Sequence, residues 1–128
     1  MSLATLEATI TQYYVSLAAM NQQQWLALMA ENAVIYDPVG KPPLKVQADS
    51  QKFFDLLSKF YQTFEIAQDS VFVVEKEAAV KWTMKVVAKN GRSTTAEGIS
   101  IFHFNELGKI SQIFSYWNES LMKSQLMG

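Results

Sequence analysis

The sequence contains no cysteine and only one histidine, His103. Without cysteine the chain can form no disulfide bond, no thiolate nucleophile and no zinc–thiolate site, and a single histidine cannot build a histidine metal cluster. We therefore expect no metal site.

Arginine is equally scarce, since Arg92 is the only one among 11 basic residues. A mechanism in which a buried guanidinium pairs two carboxylates therefore has a single candidate. The formal net charge is −1, without the excess of positive charge with which proteins bind nucleic acids or anionic membranes. We expect neither of these partners.

The chain also lacks an apolar run of the ~18–20 residues that a membrane-spanning helix needs. Its first ten residues, MSLATLEATI, show no basic region followed by an apolar one, so no secretion signal is indicated. We expect a cytoplasmic protein.

With 128 residues, 49% of them hydrophobic, the chain has the size of one globular domain, residues 1–128, that can bury a substantial core.

The first half of the chain repeats apolar residues every three or four positions, which is the helical period. The pattern predicts a helix over Leu3–Met20, a second helix with Asn21 as its N-cap, and a third over Gln47–Phe64. The apolar run Ala33–Tyr36 between the second and third helices predicts a strand.

From about Glu65 the period changes to two, which is the period of a strand. The pattern predicts four strands, at residues 71–76, 80–86, 93–105 and 110–118. Asn90-Gly91 predicts a hairpin turn between the second and third of them. Helices followed by a meandering sheet indicate an α+β fold, and an open sheet with helices on one side curls around them and leaves a pocket between.

All three prolines lie in one segment, YDPVGKPP at residues 36–43. Pro38 and Gly40 favour a turn, and the Asp37 side chain could serve that turn by accepting hydrogen bonds from its backbone amides. The alternative is that Asp37 is a base at the mouth of the pocket. The residues alone leave both interpretations open.

The segments QYYVSLAAMNQQQWLALMAENAVIYDPVGKPP and FHFNELGKISQIFSYW resemble the nuclear-transport-factor-2-like superfamily, in its ketosteroid isomerase and SnoaL-like branch. The resemblance runs from about Glu7 to Trp117. Its most specific part is the Asp-Pro-Val-Gly run with a tyrosine, Tyr13, 24 positions before Asp37. It implies a cone-shaped α+β fold, in which three N-terminal helices pack in a curved, mixed and mainly antiparallel sheet that encloses an apolar pocket.

The resemblance also implies roles for three residues. Asp37 matches the family's general base, and Tyr13 matches the tyrosine that hydrogen-bonds the substrate oxygen as it becomes an enolate; the family's mechanism is established and needs no cofactor. At the position of the family's protonated aspartic acid this chain has Ser100, a weaker donor that would be secondary. The implied function is that of a steroid Δ-isomerase, an enzyme that moves a proton α to the carbonyl of a small hydrophobic, steroid- or polyketide-like ligand.

The resemblance further implies an apolar lining for the pocket. The lining residues would be Phe54, Trp82, Met84, Val86, Ile113 and Trp117. Phe54 stands where some family members carry a tyrosine that supports the catalytic one, so a hydrogen-bonded tyrosine network is not implied here.

Strand alternation assigns the opposite face of the sheet to apolar and aromatic residues that a monomer would leave exposed. These residues are Ile101, His103, Phe114 and Tyr116. We therefore expect a homodimer packed through this outer face, with His103 away from the pocket.

One register problem arises in the predicted hairpin. A two-residue Asn90-Gly91 turn would pair Ser100 with Lys81, whereas the resemblance requires Ser100 on the same face as Trp82. A β-bulge at Gly98 or a longer hairpin loop would restore the parity.

Several other functions remain as alternatives. A small-molecule binding protein that keeps the pocket without the chemistry is one, and an aldol-type cyclase that needs a single carboxylate is another. Epoxide hydrolysis by an Asp-Arg-Asp set is disfavoured because Arg92 lies in the hairpin turn, and a dehydratase with two histidines cannot be built. The last alternative function is an interaction with another protein through the outer face of the sheet.

Overall fold

The computed structural model describes residues 2–127 of the chain. Its elements follow in the order α1 (Leu3–Ala18), α2 (Gln22–Leu26), β1 (Met29–Tyr36), β2 (Leu44–Lys45), α3 (Val46–Phe60), β3 (Tyr61–Val74), β4 (Glu77–Ala88), β5 (Ser93–Phe104), β6 (Ile110–Tyr116) and α4 (Glu119–Met127). No helix within residues 2–127 is long and apolar enough to cross a membrane.

The first two helices begin at side-chain caps. The Ser2 hydroxyl accepts a hydrogen bond from the Thr5 amide, and the Asn21 side chain accepts one from the Gln24 amide. The prediction of Asn21 as a cap is therefore confirmed. The first helix ends at Ala18 rather than Met20, which adopts a positive φ of 55°.

The third helix is shorter than predicted. It ends at Phe60, and Tyr61 already belongs to β3, so the predicted helix was four residues too long and the predicted strand over residues 71–76 began ten residues too late. β3 pairs antiparallel with β4 from Tyr61 opposite Ala88 to Val74 opposite Glu77. This long ladder overrides the helical spacing of the aromatic residues in the segment.

The six strands form one mixed, mainly antiparallel sheet in the order β2-β1-β6-β5-β4-β3. Only the β1–β6 pair is parallel among the described strands. α1 packs against β3 and α3 against β1, so the helices cover one face, and the core lies between that face and the helices. The sheet does not close, and the predicted α+β cone with its mixed sheet is confirmed.

The β4–β5 hairpin resolves the register problem through its loop. Val80 lies opposite Ser100 and Trp82 opposite Gly98, without interruption along the ladder, so the predicted bulge at Gly98 is absent. A longer loop, residues 89–92, supplies the extra residues and contains Gly91 at φ +86°. Ser100 and Trp82 therefore share the inner face.

Gly98 has a different role from the predicted one. A Cβ atom at this position would lie 2.6 Å from Cζ2 of Trp82 and 2.7 Å from Cβ of Trp117. The two indoles cross with their ring centroids 5.7 Å apart at 73°. Glycine is needed here because the Trp82 ring lies directly over the backbone of β5.

Candidate functional site

A cavity of about 100 Å³ lies between the helices and the inner face of the sheet. Most of its wall is aromatic or apolar, and its lining residues carry two carboxylates and five hydroxyls. The lining residues are Tyr13, Tyr14, Leu17, Asp37, Phe53, Leu57, Tyr61, Phe64, Ile66, Trp82, Met84, Ser100, Ser115, Trp117 and Glu119.

The structure brings most of the predicted site residues together. Asp37, Tyr13 and Ser100 all line the cavity, and so do the predicted wall residues Trp82, Met84 and Trp117. These six come from α1, β4, β5 and the segments after β1 and β6, which meet at this point of the fold.

Three predicted wall residues lie elsewhere in the core. Phe54 packs edge-on against Trp25 and does not line the cavity. Val86 and Ile113 are fully buried within the sheet core. Val86 lies opposite Thr94, whose hydroxyl bonds Gln125 of α4, so this helix, which was not predicted, covers that end of the sheet.

Asp37 directly follows β1, and its carboxylate is held from the far end of the chain. The Trp117 indole Nε1 donates a hydrogen bond of 2.5 Å to Asp37 Oδ1. Two of the turn amides donate to backbone carbonyls instead, Val39 N to Ser115 O and Lys41 N to Pro38 O. Among the described residues no amide of the turn donates to the Asp37 carboxylate, which leaves it free to serve the cavity.

A second cleft, of about 350 Å³, opens from the other side of Asp37 between the proline-containing segment and α3. Asp37, Tyr13 and Phe53 line both spaces. The Asp37 residue as a whole is exposed, while the groups that line the two spaces partly desolvate its carboxyl group. This desolvation raises the pKa of Asp37, the hydrogen bond from Trp117 opposes the rise, and the charges of Glu119 and Lys41 act with smaller and opposite effects.

The two adjacent tyrosines of α1 both reach the cavity. Burial raises the pKa of each well above its usual value of 10.0, and the negative charge of Asp37 adds to the rise. The Tyr14 hydroxyl is buried and has no hydrogen-bond partner among the described residues. Ser100 is close enough to lower the pKa of Tyr14, without a hydrogen bond of acceptable geometry. Trp25 likewise lies close enough to lower the pKa of Tyr13, while its indole Nε1 has no hydrogen-bond partner of acceptable geometry among the described residues.

Ser100 belongs to a buried hydrogen-bond chain. Trp82 Nε1 donates to Ser100 Oγ at 2.9 Å, and Ser100 Oγ lies 2.7 Å from Ser115 Oγ. Because the indole N–H can only donate, Ser100 keeps its own proton for Ser115 or for a ligand oxygen. The inner end of the cavity thus offers hydroxyl donors from Tyr14 and Ser100.

Sequence reasoning missed several lining residues. Ser115 lies directly opposite Ser100 in the β5–β6 ladder, a pairing that the sequence would have given once the turn between these strands was placed. Glu119 begins α4, for which no prediction was made. Tyr61 was assigned to a helix; its hydroxyl lies 3.9 Å from Met122 Sδ, and burial raises its pKa to about 12.

The site offers no evident metal ligand set. Within residues 2–127, no three or more histidine, aspartate or glutamate side chains lie close enough together to hold a metal ion. Arg92 lies in the hairpin loop and does not line the cavity.

Comparison with known proteins identifies similar chains. The family model described as the SnoaL-like domain matches residues 10–113. A Delta 5-3-ketosteroid isomerase from Mycobacterium sp. has a similar structure, with a TM-score of 0.80 and 21% sequence identity over 91% of this chain and 95% of that one. An LEH-like epoxide hydrolase from M. tuberculosis also has a TM-score of 0.80, with 12% identity over 97% of this chain and 90% of that one. At these identities the two likenesses show a shared fold.

Proposed function

The chain belongs to the SnoaL-like domain family, and from that premise we propose that it is an enzyme that moves a proton α to a carbonyl group without a cofactor. Its ligand is small and hydrophobic, steroid- or polyketide-like. The observation that carries the proposal is the placement of the Asp37 carboxylate at an aromatic cavity that also contains the Tyr14 hydroxyl, which has no hydrogen-bond partner among the described residues.

Asp37 is the proposed base. A carboxylate in water is a weak base at neutral pH, and the raised pKa makes this one stronger. The hydrogen bond from Trp117 fixes the carboxylate while leaving its second oxygen free to take a proton. The carboxyl group would then return the proton to another carbon of the same ligand.

The oxyanion donors are the second part of the proposal. The resemblance assigns this role to Tyr13, with Ser100 secondary, and the geometry adds Tyr14. Tyr14 is favoured because its buried hydroxyl has no partner among the described residues and lies beside Ser100. A ligand carbonyl at the inner end would satisfy the Tyr14 hydroxyl, which is otherwise a costly buried group.

The identity of Ser100 determines how fast we expect the proposed isomerisation to be. A neutral hydroxyl is a poorer donor to an oxyanion than a carboxylic acid, and losing one strong donor costs about 3–4 kcal/mol, or about 10²–10³ in rate. We expect a slower isomerase than family members with an acid at this position, or one that acts on a different carbonyl compound.

The test is conversion of a β,γ-unsaturated ketosteroid to its conjugated enone, followed by ultraviolet absorbance. The proposal predicts turnover above background that Asp37→Asn abolishes. Asp55→Asn is the matched control, because Asp55 is an exposed residue of α3 whose side chain bonds only Gln51 among the described residues. Turnover that is absent, or equal in Asp37→Asn and Asp55→Asn, would contradict the proposal.

Binding without turnover is the second candidate function. It is favoured by the engagement of Ser100 with Trp82 and Ser115, which leaves a neutral, already bonded group where the family has an acid. A steroid that raises the unfolding temperature of the protein without being converted would select this function.

We also propose a homodimer packed through the outer face of the sheet. The predicted interface residues do lie on that face, where Tyr116 is 53% exposed and Phe114 stacks on Tyr36 with ring centroids 5.0 Å apart. His103 lies 3.4 Å from Glu77 on the same face, away from the cavity as predicted. Apolar surface of this kind is seldom left to solvent.

A further inference from the structure

An ion pair bridges the two chain segments that hold Asp37. Lys41 lies four residues after Asp37, and Glu119 lies two residues after Trp117, whose indole bonds the Asp37 carboxylate. Lys41 Nζ donates to Glu119 Oε1 at 2.6 Å. The pair therefore ties the proline-containing segment to the first residue of α4 beside the proposed base.

The two members of this pair face different spaces. Glu119 lines the inner cavity together with Asp37, and its side chain is 21% exposed. Lys41 lines the outer cleft, and its side chain is 52% exposed. The anionic member is thus turned toward the inner cavity and the cationic member toward the outer cleft. A second cation, Lys123, approaches Glu119 to 3.6 Å from within α4.

We propose that Glu119, held by Lys41, is a positioning residue that acts through Asp37: by fixing an anion at the cavity wall it makes Asp37 a stronger base. A like charge disfavours the ionised form of a carboxyl group, and the effect is largest where water is excluded. Lys41 has two effects, since it fixes the Glu119 carboxylate and itself favours ionised Asp37 from the more hydrated side. The catalytic consequence rests on the function proposed above, but the electrostatic effect does not.

The other ionisable groups near Asp37 do not provide this effect. Tyr13 and Tyr14 from α1 and Tyr61 from β3 have raised pKa values, so they stay neutral while carboxyl groups titrate. From α3, Asp49 and Lys52 line only the outer cleft, and Asp49 accepts a hydrogen bond from the Lys45 amide. Glu119 is the remaining carboxylate on the inner cavity wall, and its charge opposes ionisation of Asp37 while that of Lys41 favours it.

The test is the titration of Asp37 in the ligand-free protein, followed by NMR of ¹³Cγ-labelled aspartate. The sequence has four aspartates, and Asp37→Asn assigns the signal. Glu119→Gln should move the Asp37 midpoint to lower pH, because removal of a like charge favours the ionised form. Lys41→Met should move it to higher pH, because the Glu119 charge is then less compensated.

The exchanged pair, Lys41→Glu with Glu119→Lys, separates electrostatics from structure. It keeps an ion pair between the segment and α4 but places the cation on the cavity wall, so the midpoint should fall as in Glu119→Gln. If the ion pair acted only as a structural link between the segment and α4, the Asp37 midpoint in the exchanged pair would equal that of the wild type. Glu106→Gln is the charge-matched control, because Glu106 pairs with Lys76 in the turn between β5 and β6 and lines neither space beside Asp37.

The inference is overturned if Glu119→Gln and Lys41→Met leave the midpoint at the wild-type value, if both move it in the same direction, or if the exchanged pair restores it. The experiment contains no substrate. Opposite shifts in a protein that fails to convert the ketosteroid would therefore uphold the role of Glu119 and contradict only the proposed function.

Discussion

Asp37 is held by an indole nitrogen from the other end of the chain rather than by the turn that follows it. Among residues 2–127, the Asp37 carboxylate accepts a hydrogen bond from Trp117 at one oxygen, and its other oxygen has no hydrogen-bond partner. Turn chemistry explains Pro38 and Gly40, and it does not account for the position of the Asp37 side chain. The carboxyl group lies between the inner cavity and the outer cleft, where partial desolvation disfavours its charged form.

Replacing Asp37 by asparagine should stabilise the folded protein at neutral pH. The pKa of Asp37 is higher in the folded state than its ordinary value of 3.8, so its contribution to stability is fully present below that value and is lost as pH rises through the folded pKa. Asparagine carries no charge and avoids this loss. Thermal unfolding should show a higher midpoint for Asp37→Asn than for wild type at pH 7, with the difference vanishing in acid. A difference that grows toward low pH would contradict the desolvation of Asp37.

Tyr14→Phe should separate stability from function. The Tyr14 hydroxyl is buried and has no partner within the part of the chain that the structure describes, so its removal should leave the free energy of unfolding in urea unchanged or slightly raised. If the hydroxyl binds the ligand oxygen, turnover should fall by about 10²–10³. Tyr13→Phe is the matched comparison, and a larger loss of turnover there would assign the donor role to Tyr13.

At the scale of elements, local patterns predicted the interior of each long helix and strand and failed where tertiary contacts set the boundary. The aromatic residues from Phe60 to Phe64 fit a helical spacing, but pairing with β4 makes Tyr61 the start of a strand. The two-residue strand β2 exists only as a partner of β1. α4 shows little apolar periodicity and is held by burial of Met122 and Leu126 against the sheet. The local sequence pattern therefore did not predict this helix.

Gly98→Ala should disturb the wall of the cavity. The added methyl group would meet the Trp82 ring, the Trp117 Cβ and the Tyr116 carbonyl oxygen at 2.6–2.7 Å, and two of these neighbours cannot move without the backbone. Overpacking of this kind costs about 1–3 kcal/mol. We expect a lower unfolding midpoint in urea and a changed near-ultraviolet circular dichroism band of the tryptophans. Unchanged values of both would contradict the packing of Trp82 over β5.

At the scale of the whole molecule, the sequence predicted which strand face lines the cavity better than it predicted the cavity itself. Asp37, Tyr13 and Ser100 could be placed together because the resemblance spans nearly the whole chain and strand alternation is strict. Val86 and Ile113 lie on the correct face but beneath other elements, and alternation carries no information about what covers a face. Glu119 was missed because it depends on where α4 docks.

The outer face of the sheet should make the protein a dimer. Sedimentation equilibrium should give twice the chain mass for wild type, and Tyr116→Glu, which buries a charge in the proposed interface, should give a monomer. Leu107→Glu is the control, since Leu107 is 82% exposed in the turn between β5 and β6. A monomeric wild-type protein, or equal behaviour of the two variants, would contradict the proposed interface.

The central claim, that ionised Asp37 is the base, is tested most directly by comparing two midpoints. One is the midpoint of the acid limb of kcat/KM for the ketosteroid conversion, which reports the free enzyme's essential base. The other is the midpoint of the Asp37 ¹³Cγ titration. The account predicts that they coincide in wild type and move together to lower pH in Glu119→Gln. A kinetic midpoint that differs from the Asp37 titration, or stays in place when the titration moves, would show that another group is the base.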